Sequence, residues 1–298
     1  MNSPLVIAHR GACGYRPENT IESFELGIAQ GADGLEFDLV TTKDKQLIIR
    51  HENALSGTTD IANRPEFAGL FRSGIVEGKD IDDWYSEDLS LDQIKQLRAV
   101  ERLAEIRPGS AKFDSQFVIP SFSELLEQDF IAQKILVCEI KSGSHLENLQ
   151  DSIGPLVAQV ISGSYAKNRE VQFITESFDF EILMQTKHAM QNKGLSARYF
   201  YALEDIRLAS VDIQSLSAQI DGLAISLAML QAEPTWVEHA HKFGLEIWVY
   251  TARVEEADTS IEAYYEEIIQ SGVDGIFADQ PDLLRRVLQD SRGSAYDY

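Results

Sequence analysis

Three carboxylates occur within apolar runs that have the length of β-strands. Glu36 and Asp38 are two residues apart in one run, and Glu139 lies in another. Because side chains alternate along a strand, Glu36 and Asp38 share one face at about 6–7 Å, and burial there requires a cation to offset their repulsion. Oxygen ligands without a thiolate suit Mg²⁺ or Ca²⁺ better than zinc. The pattern therefore predicts a site for one divalent cation, either Ca²⁺ or Mg²⁺.

Two histidines and two cationic side chains end similar runs. His9 ends the first apolar run and Arg10 follows it, while His51 ends a later run. Lys141 lies two residues after Glu139, and therefore on the same face of its strand. One imidazole can take a proton while the other gives one, and a metal ion with two cations can neutralise phosphate oxygens. This combination predicts chemistry on a phosphodiester.

Nine apolar runs of strand length alternate with longer amphipathic segments, and this alternation predicts a parallel sheet, either open or closed into a barrel. The carboxyl ends of such strands form the edge at which the ionisable groups would meet. Nine runs exceed an eight-stranded barrel by one. The second and third runs are joined only by residues 41–45, too few for a crossover helix, but the pattern does not identify the run outside the barrel. The runs are 5–9, 35–40, 46–51, 134–141, 171–177, 196–201, 221–226, 246–251 and 275–278.

Capping signals indicate where several helices begin. Asn19 is predicted to cap a helix that continues through Gln30, and Ser121 with Glu124 forms a capping box. Residues 52–120 break the strand–helix alternation, because they are polar and rich in turn residues. We interpret them as an insertion after the third strand run, within a single domain that spans residues 1–298.

The composition is that of a globular protein with a strong excess of acid. The chain has 298 residues, 44% of them hydrophobic, and a formal net charge of −22. Such a charge repels nucleic acid, and no run approaches the roughly 18 apolar residues of a membrane span. The N-terminus has no signal-peptide pattern, which predicts a cytoplasmic protein as the sequence stands, or a periplasmic or secreted one if a signal was removed.

The remaining histidines and the cysteines are not expected to take part in chemistry. Cys138 should point away from Glu139 towards outer helices, and Cys13 lies in a loop at the barrel mouth, so a disulfide between them would have to cross the sheet. Surface or packing roles are expected for the other histidines: His145, His188, His239 and His241.

Several motifs together resemble the glycerophosphodiester phosphodiesterase family. They are Ile7-Ala-His9-Arg10-Gly11, Arg16-Pro-Glu-Asn-Thr20, Gly31-Ala-Asp-Gly-Leu-Glu36-Phe-Asp38, Arg50-His51-Glu-Asn, Glu139-Ile-Lys141 and Gly272-Val-Asp-Gly-Ile-Phe-Ala-Asp279-Gln-Pro-Asp. The resemblance extends from about residue 5 to about residue 285. Within residues 52–120, segments such as Thr58-Thr-Asp60-Ile are similar to the longer bacterial members, which are typically secreted or periplasmic and often use Ca²⁺.

The resemblance implies a TIM-type (β/α)8 barrel and the hydrolysis of a small-molecule glycerophosphodiester, such as glycerophosphocholine or glycerophosphoethanolamine, to sn-glycerol 3-phosphate and an alcohol. It implies His9 and His51 as the acid–base pair, attack by the neighbouring glycerol hydroxyl, and a cyclic intermediate. A homodimer is a further expectation to test, and it does not rest on the resemblance. The ligand sets that the resemblance implies are Glu36, Asp38 and Glu139 for the metal, and Arg10 and Lys141 for the phosphate.

Two other functions stay open on the sequence alone. One is a phospholipase-D-like or phosphoinositide-phospholipase-like diesterase that acts on lipid. It would need an apolar or basic rim, which the acidic composition disfavours. The other is a binding module for metal or phosphate without catalysis. Loss of a histidine or of a metal-binding acid would favour that module, whereas all seven groups are present.

Overall fold

Parallel strands and surrounding helices make up most of the computed structural model, which describes residues 3–76, 79–141, 150–165 and 170–293. The strands are β1 (Leu5–His9), β2 (Gly34–Thr41), β3 (Leu47–Ile49), β4 (Arg72–Val76), β5 (Lys79–Asp83), β6 (Ile135–Ile140), β7 (Gln172–Ser177), β8 (Arg198–Leu203), β9 (Gly222–Ser226), β10 (Glu246–Ala252) and β11 (Gly275–Ala278). The helices are α1 (Ile21–Ala29), α2 (Leu91–Ile94), α3 (Pro108–Ala111), α4 (Phe122–Leu126), α5 (Gln150–Tyr165), α6 (Phe180–Asn192), α7 (Ile213–Ser217), α8 (Leu227–Ala232), α9 (Trp236–Lys242), α10 (Ile261–Gln270) and α11 (Pro281–Gly293).

Eight of the strands close into a parallel barrel in the order β1, β2, β6, β7, β8, β9, β10, β11. The closing pair joins the first and last strands, with Leu5 opposite Gly275. Helices cover the outer face of the barrel and bury apolar side chains against it. The predicted TIM-type barrel is therefore confirmed.

The ninth strand, β3, lies outside the barrel. It pairs antiparallel with β2, with Leu39 opposite Ile49, and the turn between them has Lys45 in the left-handed region at φ 57°. A five-residue connection permits only this antiparallel return, because a parallel neighbour needs a crossover of a dozen residues or more. The third predicted run is thus the one outside the barrel. His51 lies just after it, at the barrel mouth.

Large rings fill the barrel interior where neighbouring strands carry glycine. Phe200 and Trp248 are fully buried and their ring centroids lie 4.9 Å apart. A Cβ atom on Gly222 would lie 2.3 Å from the Phe200 ring, and one on Gly275 would lie 2.5 Å from the Trp248 ring. These glycines therefore make room for the interior core, on which the polar barrel mouth rests.

The chain between β3 and β6 forms a hairpin of β4 with β5 and several short helices. Apolar side chains of this segment, including Leu55 and Ile119, pack with Val40 and Ile48 of the β2–β3 pair. The segment is thereby attached to the strand that leads to His51. That residues 52–120 constitute an insertion domain stays a prediction about domain organisation.

The beginning of α1 differs from the prediction. Thr20 caps the helix by accepting a hydrogen bond from the Ser23 amide, whereas Asn19 lies outside the helix at φ 58°. Asn19 tolerates this left-handed conformation because a short polar side chain is less strained there than a bulky one. Its side-chain amide is therefore free to contact another group at the barrel mouth. The capping box of Ser121 with Glu124 is confirmed.

No helix in the described parts of the chain combines the length and the apolar character that crossing a membrane requires.

Candidate active site

A cavity of about 720 Å³ opens at the carboxyl ends of the barrel strands. Six of the seven side chains singled out from the sequence line it, and the seventh, Asp38, is fully buried beneath them. The structure thus brings the complete predicted set together at one end of the barrel. The six lining residues are His9, Arg10, Glu36, His51, Glu139 and Lys141.

The three carboxylates form one cluster. Asp38 and Glu139 are directly opposite each other on the neighbouring strands β2 and β6, and one oxygen each of Glu36, Asp38 and Glu139 lies within 4.8 Å of the others. Phe37 and Cys138 point to the outer core, as side-chain alternation predicts. Burial, followed by the charges of Asp38 and Glu139, raises the pKa of Glu36 well above its ordinary value. The cluster is therefore short of positive charge around Glu36.

Two cations already contact this cluster. The Lys141 ammonium lies 3.0 Å from Asp38 Oδ1 and 2.5 Å from Glu139 Oε1, and Arg10 Nε lies 3.5 Å from Asp38 Oδ2. Although burial opposes it, the charge of Lys141 holds the pKa of Asp38 well below its usual range. Part of the counter-charge that the carboxylate pattern requires therefore comes from the two side chains predicted to hold phosphate.

The donor set fits a divalent cation. Glu36 Oε2 accepts a hydrogen bond from the Arg10 amide at 2.9 Å, whereas Glu36 Oε1 is buried without a hydrogen-bond partner among the described residues. A buried, unpartnered carboxylate oxygen is costly unless a cation binds it. All three side chains offer hard oxygen ligands, as Mg²⁺ and Ca²⁺ prefer.

His9 is oriented by a carboxylate from the last strand. Its Nδ1 lies 2.6 Å from Oδ1 of Asp279, which directly follows β11, the neighbour of β1. Asp279 Oδ2 in turn accepts hydrogen bonds from Arg107 at 2.5 Å and from Arg253 at 3.1 Å. Because a carboxylate accepts only, it fixes the neutral ring as the Nδ1–H tautomer and leaves Nε2 for the cavity. Burial, followed by the charge of Arg10, lowers the pKa of His9.

His51 has the same arrangement with a different carboxylate. Its Nδ1 lies 2.7 Å from Oε1 of Glu52, and Arg102 binds both oxygens of Glu52 at 2.6 and 2.7 Å. Burial, followed by the charges of Arg10 and Lys141, lowers the pKa of His51 to about 4. A neutral ring with Nε2 available can accept a proton and so has the form of a general base, whereas a ring that acts as general acid must first be protonated at Nε2.

The sequence reasoning missed several polar residues of the site. Asn19 donates a hydrogen bond to Asp38 Oδ2 at 2.8 Å, and Glu18 accepts one from Arg10 at 3.1 Å. Glu176 is buried on β7, directly opposite Glu139, and its Oε2 has no hydrogen-bond partner among the described residues. Asp279 could have been found, because it directly follows the last predicted strand run, at the same end of the barrel at which His9 ends the first run. Glu176 could have been found for the same reason, since it lies near the end of the fifth predicted run.

The expectations for the other histidines and the cysteines can be compared with the described residues. His188, His239 and His241 are exposed and do not line the cavity, as expected, while His145 lies outside the described residues. Both cysteines are buried and free of any disulfide, which confirms the expected absence of a bridge.

Fold and site together define a (β/α)8-barrel enzyme with two carboxylate-bound imidazoles beside an acidic, cation-binding cluster. Comparison with known proteins specifies the family. Residues 9–283 match the model of the glycerophosphoryl diester phosphodiesterase family, and the chain belongs to that family.

Relatives agree with this assignment over nearly their whole length. A glycerophosphodiester phosphodiesterase of Bacillus subtilis (strain 168) is 29% identical over 291 residues, which cover 95% of this chain and 86% of the relative. A putative glycerophosphoryl diester phosphodiesterase from Silicibacter pomeroyi has the same fold with a TM-score of 0.74, at 23% identity and with 98% and 95% of the two chains covered. An Oleispira antarctica phosphodiesterase, solved in complex with the product sn-glycerol-3-phosphate, gives a TM-score of 0.71 at 22% identity and covers 96% and 97%.

Proposed function

We propose that this protein hydrolyses glycerophosphodiesters, such as glycerophosphocholine and glycerophosphoethanolamine, to sn-glycerol 3-phosphate and an alcohol. One observation carries the proposal: two histidines, each backed by a carboxylate, face one cavity beside three clustered carboxylates and two cations. Family membership and the product bound to the Oleispira antarctica neighbour support the same substrate class.

Arg10 and Lys141 would bind the phosphate of the substrate. Both line the cavity, and they bring positive charge to the mouth of a protein with a net charge of −22. Without such a local cluster, the field of the protein would repel an anionic substrate. Lys141 now contacts Asp38 and Glu139, so a phosphate would compete with these carboxylates for the ammonium.

The two imidazoles would move protons between the glycerol moiety and the leaving alcohol. One Nε2 removes the proton of the glycerol hydroxyl next to the phosphate, whose oxygen then bonds to phosphorus. The other ring must enter this step as the imidazolium, and it gives its Nε2 proton to the alcohol oxygen as the bond from that oxygen to phosphorus breaks. Water then opens the cyclic phosphate with the roles of the rings reversed, which yields sn-glycerol 3-phosphate.

Glu36, Asp38 and Glu139 would hold one divalent cation, Mg²⁺ or Ca²⁺. The unpartnered Glu36 Oε1 and the oxygen-only donor set support this assignment. When bound, the cation would neutralise charge on the phosphate oxygens and so stabilise the transition state.

The opposite wall of the cavity would receive the alcohol group. Phe178 and Tyr250 lie edge to face with their ring centroids 5.7 Å apart, and Glu176 and Glu204 line the same side. Aromatic faces and carboxylates attract cations, so this wall suits a positively charged alcohol such as choline or ethanolamine.

A release assay tests the proposal. Purified protein would be incubated with glycerophosphodiesters of choline, ethanolamine, glycerol and inositol, and sn-glycerol 3-phosphate would be measured before chelation, after EDTA, and after Ca²⁺ or Mg²⁺ is added back. We expect release that EDTA abolishes and one of the two ions restores, with His188→Ala as an exposed control. Full turnover after exhaustive chelation would overturn the metal site, and release from lysophospholipid vesicles alone would favour the lipid-directed alternative.

The finer family assignment is also a proposal. We propose that residues 52–120 are the small insertion domain of the longer bacterial members, since they carry the motifs that resemble those members and pack against β2 and β3. A periplasmic or secreted location would accompany that subgroup. We also propose, independently of the subgroup, that the protein can form a homodimer. Both stay predictions, which cell fractionation and size-exclusion chromatography would test.

A further inference from the structure

One short stretch between β3 and β6 reaches the carboxylates behind both histidines. Arg102 binds the two oxygens of Glu52 with two of its nitrogens, Nη1 and Nη2, and Glu52 holds His51. Only five residues later, Arg107 binds Asp279, which holds His9. Neither arginine lines the cavity, so neither is placed to touch the substrate.

The side chain of Arg107 is buried in the protein. Its side chain is 5% exposed, and besides Asp279 it donates to Glu255 at 2.6 Å and to the Cys13 carbonyl at 3.2 Å. His9 takes Oδ1 of Asp279 while Arg107 takes Oδ2, so the two oxygens of the carboxylate are held from opposite sides. A carboxylate held in this way cannot rotate away from the ring.

Arg102 has a wider reach. Its Nε and Nη2 also bind the two oxygens of Glu18 at 2.8 and 2.9 Å, and Glu18 contacts the guanidinium of Arg10. The forked geometry of arginine suits such paired contacts, which a lysine cannot reproduce. Arg102 thereby connects the carboxylate behind His51 with the carboxylate beside Arg10.

The stretch that carries both arginines is itself fixed. Glu101 accepts hydrogen bonds from the Leu103 amide and from the Ser110 hydroxyl, and the Leu103 carbonyl accepts from the Arg107 amide at 2.8 Å. These bonds close a turn whose two arginines point to two different carboxylates. The spacing of the arginines is therefore set by the turn rather than by the barrel.

We propose that Arg102 and Arg107 are positioning residues that fix the tautomer and orientation of His51 and His9 through Glu52 and Asp279. This inference rests on the proposed acid–base roles of the two histidines. It assigns to the segment between β3 and β6 a function in the reaction, because the barrel alone supplies neither arginine.

The experiment compares Arg102→Gln and Arg107→Gln with Arg64→Gln. Arg64 is a matched control, because it lies in the same segment, is 32% exposed against 31% for Arg102, and also binds a carboxylate, that of Asp60. We expect Arg102→Gln and Arg107→Gln to lower kcat for glycerophosphocholine by about 10- to 100-fold, the scale known for loss of an outer partner that orients a metal-bound histidine. KM should stay within about twofold, and Arg64→Gln should match the unchanged protein.

A second measurement does not need activity. In protein labelled with ¹⁵N-histidine, Arg102→Gln should reduce the Nδ1–H signal of His51 and leave that of His9, and Arg107→Gln should do the reverse. Guanidinium added to Arg102→Ala should restore part of kcat, since it can occupy the vacated position. Arg102→Lys should stay impaired, because one ammonium cannot bind Glu52 and Glu18 with paired bonds.

Several outcomes would overturn the proposal. Equal kcat in Arg102→Gln and Arg64→Gln, or unchanged histidine signals in both test variants, would leave the arginines with a structural role only. A raised KM at constant kcat would mean that they act on substrate charge. Failure of the proposed function is distinguishable, because the unchanged protein would then release no sn-glycerol 3-phosphate. Failure of the acid–base roles is distinguishable too, because His9→Ala and His51→Ala would then keep full activity whatever the arginine variants do.

Discussion

The two walls of the cavity differ in chemistry. The wall formed by β1, β2, β6 and the end of β3 carries all seven ionisable groups predicted from the sequence. The wall formed by β7 to β10 is lined among the described residues by aromatic, small and acidic side chains, such as Phe178 and Ser226. Its one lining arginine, Arg253, is bonded to Asp279 behind His9. Under the proposed function, we expect bond breaking at the first wall and recognition of the alcohol at the second.

The largest effect should come from the histidines of the first wall. His9→Ala and His51→Ala should each lower kcat for glycerophosphocholine by about 10²–10⁴, the usual scale for losing one general acid or base. The double variant should be far less than multiplicatively worse, because both rings serve one sequence of proton transfers.

A nitrophenyl diester separates the two roles of the histidines. Its leaving group needs no proton, so the variant of the general acid should recover activity on it, whereas the variant of the general base should not. Large and equal losses of kcat in both variants on both substrates would instead indicate that the rings bind metal or phosphate and do not transfer protons.

A smaller effect, about 10²-fold each, is expected for Glu139→Gln and Lys141→Ala, the scale of losing one electrostatic contact in the transition state. Excess divalent cation should partly rescue Glu139→Gln, which weakens the metal site. It should not rescue Lys141→Ala, although removal of the ammonium from Asp38 and Glu139 should tighten metal binding. Isothermal titration calorimetry measures the affinity of each variant for the metal, and steady-state kinetics measures the rescue. If the metal rescued Lys141→Ala and not Glu139→Gln, the two residues would have exchanged roles.

On the second wall, Phe178→Ala should raise KM for glycerophosphocholine by about tenfold, since a cation on an aromatic face contributes about 0.5–2 kcal/mol. The kcat value, and KM for the neutral glycerol diester, should change little. Phe71→Ala is the control, because Phe71 is also an exposed aromatic but does not line the cavity. An equal rise in KM for the charged and neutral substrates would assign Phe178 to the shape of the cavity alone.

The smallest effect on activity is expected for Glu204, at the solvent-exposed edge of the cavity. Glu204 is exposed, so Glu204→Gln should lower kcat/KM for glycerophosphocholine by about twofold at low salt and not at all at high salt, where screening removes surface charge effects. Kinetics at two ionic strengths give the answer. A loss that persists at high salt would place Glu204 in direct contact with the alcohol group.

Most of the barrel could be predicted because its strands are short apolar runs separated by helices. The exception was β3, whose run has the same composition as a barrel strand. Its place outside the barrel depends on the five-residue connection that contains Lys45, and that connection shows that two runs form a hairpin without showing which run stays in the barrel. The hydrogen bonding of β2 to β6 decides this, and it joins residues about a hundred positions apart.

Most groups of the first wall were predictable because they end a strand or lie next to its end, and Glu36 and Asp38 were predictable because two carboxylates share one face of a strand. Their partners were harder to find. Asp279 is 270 positions from His9, and Arg102 is 84 positions from Glu18, so no local pattern relates them. Asn19 was assigned to a helix cap because its residue type suits both a cap and a left-handed position. The neighbouring Thr20 takes the cap instead, and this choice leaves Asn19 for Asp38.

The pairing of β1 with β11 also bears on the order in which the parts of the site come together during folding. His9 is made 270 residues before Asp279, the carboxylate that holds its ring and directly follows the last strand of the barrel. Contacts between such distant positions form late in folding, because a long loop must close, at a cost in chain entropy, before they can form. A chain stopped before β11 could gather Glu36, Asp38 and Glu139, but its His9 ring would have no acceptor at Nδ1. Under the proposed role of His9, we therefore expect the chain to acquire catalytic competence only when the barrel closes.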